Sequence, residues 1–315
     1  MATLQSLVTG KGYDASQGII DEVTKLVPEL ATFAAILING TSFQSVAQIS
    51  DPVTGFRTAG NGIDASDEGY RLDTFNLGIL AGLCQRDKAL FDADVRGREA
   101  ALTAAAISLI RSGMKSLAGK VWYGAHASAE KFDGCATLCA DALTVDAGNS
   151  TANKSASCFA VGIGEEKCHL VFNKDSKLLT SAELDWKEGT MDGANSKPVP
   201  SYWTDLTCWA GFACRNAKAI ARIANLGSGS GNKLTDEFLA ELVSKYAEAN
   251  DGQNPDAIFC TFAQRLFLQK SRGTLVRTTP RTSIEITAGV PLEYDGIPII
   301  ATNSLSDAEA VWSAA

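Results

Sequence analysis

Residues 50–69 read SDPVTGFRTAGNGIDASDEG, a run rich in Gly, Asp, Ser and Thr and poor in apolar side chains. Connections this long without structure of their own are uncommon inside a compact domain. Strand-like sequences flank it, about 42–49 on one side and about 70–84 on the other. In the second, Phe75, Leu77, Ile79 and Ala81 would share one face. The pattern predicts an extended hairpin whose tip reaches a partner. A surface loop without a partner is the plainer alternative.

The segment after the hairpin has a helical pattern. Over 88–119, Phe91, Val95, Leu102, Ala106, Leu109, Ile110, Met114, Leu117 and, just beyond, Val121 keep the 3.6-residue period. They predict one helix of about 45 Å. Asp92 or Asp94 is its candidate start, Gly119 its candidate end, and Gly97 and Gly113 are candidate bends. Ahead of the hairpin, Ile19, Ile20, Val23, Leu26, Val27 and Leu30 predict a short amphipathic helix that Pro28 should end or bend. Such a helix cannot bury its stripe alone.

From about 157 the chain turns to β. Phe159, Val161 and Ile163 alternate, 164–167 turn, and Cys168, Leu170 and Phe172 alternate again, which is a hairpin signal. Tyr202, Thr204, Leu206, Cys208, Ala210 and Phe212 predict a further strand. GSGSGN at 227–232 reads as a connector. A helix over about 236–249 comes next, with Phe238, Leu239, Leu242, Val243 and Tyr246 as its stripe. Then come a strand at 257–260, a helix capped by Thr261 and running through Lys270, and a strand at 297–302.

Composition narrows the function. The 315 residues are 45% hydrophobic, enough for a sizeable core. The net charge is -8 and no basic run occurs. That argues against a general nucleic-acid binder, because phosphate contacts need clustered Lys and Arg. It does not argue against a protein that surrounds nucleic acid without gripping it. The longest apolar runs, near 30–38 and 100–110, fall short of the roughly 20 residues of a membrane helix. The first residues lack the charged and apolar regions of a secretory signal. The eight cysteines read as free, mostly buried thiols. The glycosylation patterns at Asn149 and Asn153 are empty without secretion.

Residues arranged for chemistry are few. His126 and His169 are the two histidines, no G-x-S-x-G turn accompanies them, and both read as structural. Cys135, Cys139, Cys168 and His169 have the wrong spacing for a zinc finger or ribbon. GSGSGNK lacks phosphate-loop spacing. Asp64, Asp67 and Glu68 read as a solvated acidic loop rather than a cation site. Nothing in the sequence brings Asp185 and Asp205 together as a carboxylate pair. No catalytic, cofactor or metal site is assigned, and the chain reads as no enzyme.

A set of motifs succeeds the arm, hairpin and long helix in order. The helix runs into VWYG (121–124) and FDG (132–134). AIARIAN (219–225), NPDAI (254–258) and EYDGIPII (293–300) come later. In this order, over most of the chain, the sequence resembles the major capsid proteins of tailed bacteriophages, which have the Hong Kong 97-type fold. The resemblance implies an α+β fold. Its P (peripheral) domain carries the long spine helix, and its A (axial) domain points at the symmetry axes. It implies an arm at 1–40, the E-loop hairpin with adjoining P-domain strands at 41–87, and spine helix and P domain at 88–145. A β-rich region at 146–226 comes next, then the A domain and closing P-domain strands at 227–315.

The resemblance further implies self-assembly, as hexamers and pentamers, into the icosahedral shell of a virion. That shell would enclose double-stranded DNA without sequence-specific binding. Assembly would take place in the bacterial cytoplasm, with a scaffolding protein, a portal and a decoration protein as further partners and no membrane. Arg57, Asp64, Asp67 and Glu68 on the E-loop are the candidate contacts between subunits. The founding member crosslinks an E-loop Lys to an Asn of a neighbour, but residues 41–87 here contain no lysine. No long charged helix precedes the arm, so a fused scaffolding region is not expected. The alternatives are an encapsulin-type shell around a protein cargo and, less in keeping with the motifs, a soluble hydrolase using His126 or His169.

Overall fold

The computed structural model describes residues 27–95, 97–174, 185–193, 197–227, 231–277 and 292–314. The arm helix expected ahead of Val27 and part of the 227–232 connector lie outside them. In chain order the first half holds α1 (Pro28–Thr32), β1 (Ala34–Ile38), β2 (Ser42–Ser50), β3 (Gly69–Asn76), β4 (Gly78–Asp87), α2 (Lys88–Asp92), α3 (Arg98–Tyr123) and α4 (Cys135–Leu138). The second half holds β5 (Thr144–Asp146), β6 (Ala156–Val161), β7 (Cys168–Asn173), β8 (Lys187–Asp192), β9 (Pro198–Cys214) and β10 (Ile220–Leu226). It closes with α5 (Asp236–Ala249), β11 (Ala257–Cys260), α6 (Phe262–Arg277), β12 (Glu293–Tyr294) and β13 (Ile297–Ala301).

Two sheets enclose one core. The first runs β1-β7-β9-β4, with β8 also paired to β9, and the second runs β12-β13-β11-β6-β10-β5. A separate two-stranded sheet, β2-β3, is the hairpin. Where the sheets meet the end of α3, Phe33 stacks on Phe259 at 5.7 Å and Trp122 on Phe159 at 5.2 Å, with Phe212 edge-on to Phe33 at 5.5 Å. On the far face of the second sheet, Leu239, Leu242 and Tyr246 of α5 pack with Ala160, Ile223 and Ile258.

The helix expected over 88–119 is two helices. α2 stops at Asp92, and Gly97, at φ +92°, turns the chain into α3. Val95 falls in that break and is fully exposed, not part of the stripe. α3 continues past Gly119 to Tyr123, a length of about 39 Å. Gly113 serves packing: a Cβ there would lie 2.9 Å from Leu206 Cδ2. Pro28 opens α1, where a proline at the first helical position loses no intrahelical bond.

The strand expected over 70–84 is also two. β3 pairs with β2, whereas β4 pairs with β9 from Gly78↔Ala210 to Asp87↔Ser201. Phe75 and Leu77 pack on the β9 face of Ala213 and Trp209, and Ile79 pairs with Trp209, so Phe75, Leu77, Ile79 and Ala81 share one face, buried at Leu77 and exposed from Ile79 onward. Gly82 meets Leu109 of α3, while Ile79 and Leu83 are exposed on the opposite side. The hairpin expected from β6 and β7 does not form. β6 lies between β11 and β10, and β7 lies between β1 and β9. β6 is buried along its whole length and β7 up to its last residue, so their alternation does not mark one wet face. α5, β11 and the Thr261-capped helix stand where the sequence places them, the last reaching Arg277.

Candidate assembly surfaces

The hairpin is anchored only at its base. β2 and β3 pair from Ser42↔Asn76 to Ser50↔Gly69. At the base, Phe43 and Phe75 lie 6.1 Å apart, and Phe43 meets the ring of His169 edge-on at 5.5 Å. These two phenylalanines cover Leu77, Val171 and Ala213. Alternation along a strand then sends the next side chains to opposite faces. Val46 and Leu72 are cross-strand partners, and Tyr70 lies two positions from Leu72 on the same face. Each is more than half exposed. The result is an apolar stripe that nothing among the described residues covers.

The tip, 51–68, is exposed throughout. It holds its shape through short polar contacts. Val53 N–H donates to Ser66 Oγ at 2.7 Å, and Gly69 N–H donates to Ser50 Oγ at 3.1 Å. Of the four charged candidates, Arg57 donates to the Asn61 carbonyl at 2.8 Å, closing a small turn within the tip. Glu68 accepts from the Tyr70 hydroxyl at 2.8 Å, which raises the Tyr70 phenol above its ordinary pKa. Asp64 and Asp67 stand exposed on the same tip. The structure gathers all four on one projection without pairing them with one another. Val53, Phe56 and Ile63, also exposed there, are not singled out by sequence pattern. Phe56 is the one that a search for aromatic residues inside polar runs would find.

The first sheet has a second uncovered area. α3 packs on the β4 face that carries Gly82 and the β9 residue Leu206. The opposite face shows exposed Ile79 and Leu83, with Trp209 paired to Ile79 and half-buried.

No site for chemistry accompanies these surfaces among the described residues. His126 Nδ1 lies 3.0 Å from the Lys131 carbonyl at the surface. His169 is buried without a well-formed ring hydrogen bond, and desolvation lowers its pKa to about 4. The eight cysteines are free, six of them buried. Among the described residues no group of three His, Cys, Asp or Glu side chains is placed to hold a metal.

Comparison with known proteins decides what such a fold belongs to. The family described as Major capsid protein GP7 matches residues 19–313. This chain belongs to that family. It is a major capsid protein of the tailed-phage kind with a Hong Kong 97-type fold, a structural subunit and not an enzyme. Copies of a capsid protein assemble with one another into the shell of a virion. A chain in the structure of bacteriophage Epsilon15 is similar at 17% identity and TM-score 0.59, over 89% of this chain and 88% of that one. The bacteriophage JBD30 capsid is similar at 8% identity and TM-score 0.49, over 86% and 88%. The SrpI encapsulin of Synechococcus elongatus PCC 7942 shows 9% identity and TM-score 0.42, over 62% and 85%. No curated protein matches the capsid chain.

Proposed function

We propose that the β2-β3 hairpin of each capsid subunit lies across its neighbour. Copies joined in this way form the hexamers and pentamers of an icosahedral shell around the double-stranded DNA of a tailed bacteriophage. The observation that carries this reading is the Val46–Leu72–Tyr70 stripe, apolar side chains held in register on a projection with no core of its own. Burying a Val or Leu side chain contributes about 1.5–3 kcal/mol. Exposed ion pairs give only about 0–1 kcal/mol each. Arg57, Asp64, Asp67 and Glu68 therefore act at the rim of the contact, and the stripe supplies most of the attraction.

The segments 1–40, 41–87, 88–145, 146–226 and 227–315 keep the roles that the resemblance implies. The net charge of -8 suits a subunit that holds DNA in without adhering to it. Scaffolding, portal and decoration proteins as partners, and assembly in the host cytoplasm, rest on the resemblance.

The test is a Val46→Ser/Leu72→Ser double variant beside an Arg57→Ala/Asp64→Ala control. The serine variant is expected to keep native circular dichroism and a cooperative melt, since both side chains are exposed, yet to build no closed shells in electron micrographs. The charge control is expected to assemble. Closed particles of wild-type size from the serine variant would overturn the reading. Nuclease-protected DNA inside wild-type particles tests the enclosure, and a protein cargo in its place would favour an encapsulin-type shell.

A further inference from the structure

Cys168 and Cys214 face each other across β7 and β9 at the foot of the E-loop. Beside them, the Arg215 N–H donates to the Lys167 carbonyl at 3.0 Å. The Cys168 N–H donates instead to the Gly162 carbonyl at 3.2 Å, so Cys168 and Cys214 oppose each other as a pair of the non-hydrogen-bonded kind. In such pairs opposed Cα atoms are about 4.5 Å apart, inside the roughly 4.4–6.8 Å that a disulfide spans. The thiols lie 3.2 Å apart, Cys168 Sγ donating to Cys214 Sγ, and both are free. Their access differs. Cys168 is fully buried, whereas Cys214 is 8% exposed and lines a cavity of about 270 Å³ together with Arg71, His126, Lys131 and Arg215.

We propose that this pair is an oxidation site, closing to a disulfide when the capsid protein meets a small peroxide. Hydrogen peroxide entering the cavity reaches Cys214 first. An S–O bond forms, the O–O bond breaks, and one water leaves a sulfenic acid on Cys214. The Cys168 sulfur then attacks the Cys214 sulfur and the S–O bond breaks. The hydroxyl departs with the Cys168 proton as a second water. Two thiols have lost two electrons, and one peroxide has become two waters. Burial holds the Cys168 thiol well above its ordinary pKa, so it is a poor target for outside electrophiles. A sulfenic acid on its 3.2 Å neighbour is a target within reach. The bond would fasten β7 to the end of β9, beneath the surface on which the hairpin stands. This site does not depend on how the hairpin is used.

The test treats the reduced full-length protein with hydrogen peroxide, stops the reaction with catalase, then denatures the chain and alkylates it. The expected product carries two fewer labels than its eight cysteines allow. A non-reduced digest should yield a linked peptide pair joining Cys168 to Cys214, and dithiothreitol should restore all labels. Oxidised wild type should melt above the reduced form, with no such difference in Cys168→Ser/Cys214→Ser. Full labelling after peroxide would overturn the proposal. So would a link that uses Cys135 or Cys139 in place of one member, or over-oxidised Cys214 beside free Cys168. The peptide map needs only the wild-type chain, so a serine variant that fails to fold leaves the test standing.

Discussion

Glu309 is a buried charge with all its partners in place. Its Oε2 accepts from Arg222 Nη2 at 2.7 Å and from Ser157 Oγ at 2.6 Å, and its Oε1 accepts from the Tyr123 hydroxyl at 2.6 Å. Both charged side chains are under a tenth exposed. Burial and the carboxylate push the Tyr123 phenol far up, so its proton stays in the bond. Removing one member of such a pair leaves the other uncompensated, at about 3–5 kcal/mol. Glu309→Ala is expected to lose that much in urea unfolding, and Glu309→Gln clearly less. A loss below about 1 kcal/mol for the alanine would mean that Arg222 behaves as a surface charge. His169 makes stability depend on pH, because it is buried neutral. Its folded pKa is about 4, against about 6.5 in the unfolded chain. Between those values the unfolded state binds more protons, so this contribution is complete above about pH 6.5 and is lost as the pH falls toward 4. His169→Gln should flatten the melting temperature over that window. An unchanged slope would show that His169 does not titrate there.

At the scale of elements, Gly78 controls how the hairpin leaves the sheet. A Cβ on it would sit 2.2 Å from the Glu130 carbonyl oxygen and 2.6 Å from the Glu130 carbonyl carbon. Backbone cannot step aside as a side-chain tip can, so Gly78→Ala should cost about 1–3 kcal/mol and shift the β3–β4 bend. A chemical denaturation curve matching wild type would show that the 125–133 segment gives way. Elements differ in how legible they are in the sequence. α5 is legible because it has one wet face and one dry one, so Leu239, Leu242 and Tyr246 recur at the helical period. β6 and β7 carry no such contrast, and the turn between them hides a crossing from one sheet to the other. The long helix reads as unbroken because Phe91 and Val95 keep the period that Leu102 resumes. The period does not record that Gly97 adopts φ +92°. The polar tip of the hairpin is conspicuous in the sequence. The stripe is not, because Val46 and Leu72 are far apart in the chain and become neighbours only through strand register.

At the scale of the whole molecule, the lysine-free stretch 41–87 bears on how a shell of this protein holds together. With no lysine on the hairpin or the strands beside it, isopeptide bonds of the founding type have no donor there. Particles boiled in denaturant with reductant should run as one band near 33.2 kDa. A ladder of multimers that survives reduction would contradict this. The Glu29 tie has a consequence in time rather than in space. Its carboxylate accepts from Thr302 Oγ1 at 2.9 and 3.1 Å and from Trp122 Nε1 at 3.5 Å, joining the start of the described chain to the residue just past its last strand across 273 positions. Contacts of such high contact order form late. At about 5–20 residues per second, translation needs roughly 15–60 s to reach Thr302. A nascent chain therefore carries its hairpin out of the ribosome long before its core can seal. A chain cut short before Thr302 leaves Glu29 with its main partner missing, and degradation rather than incorporation is its expected fate.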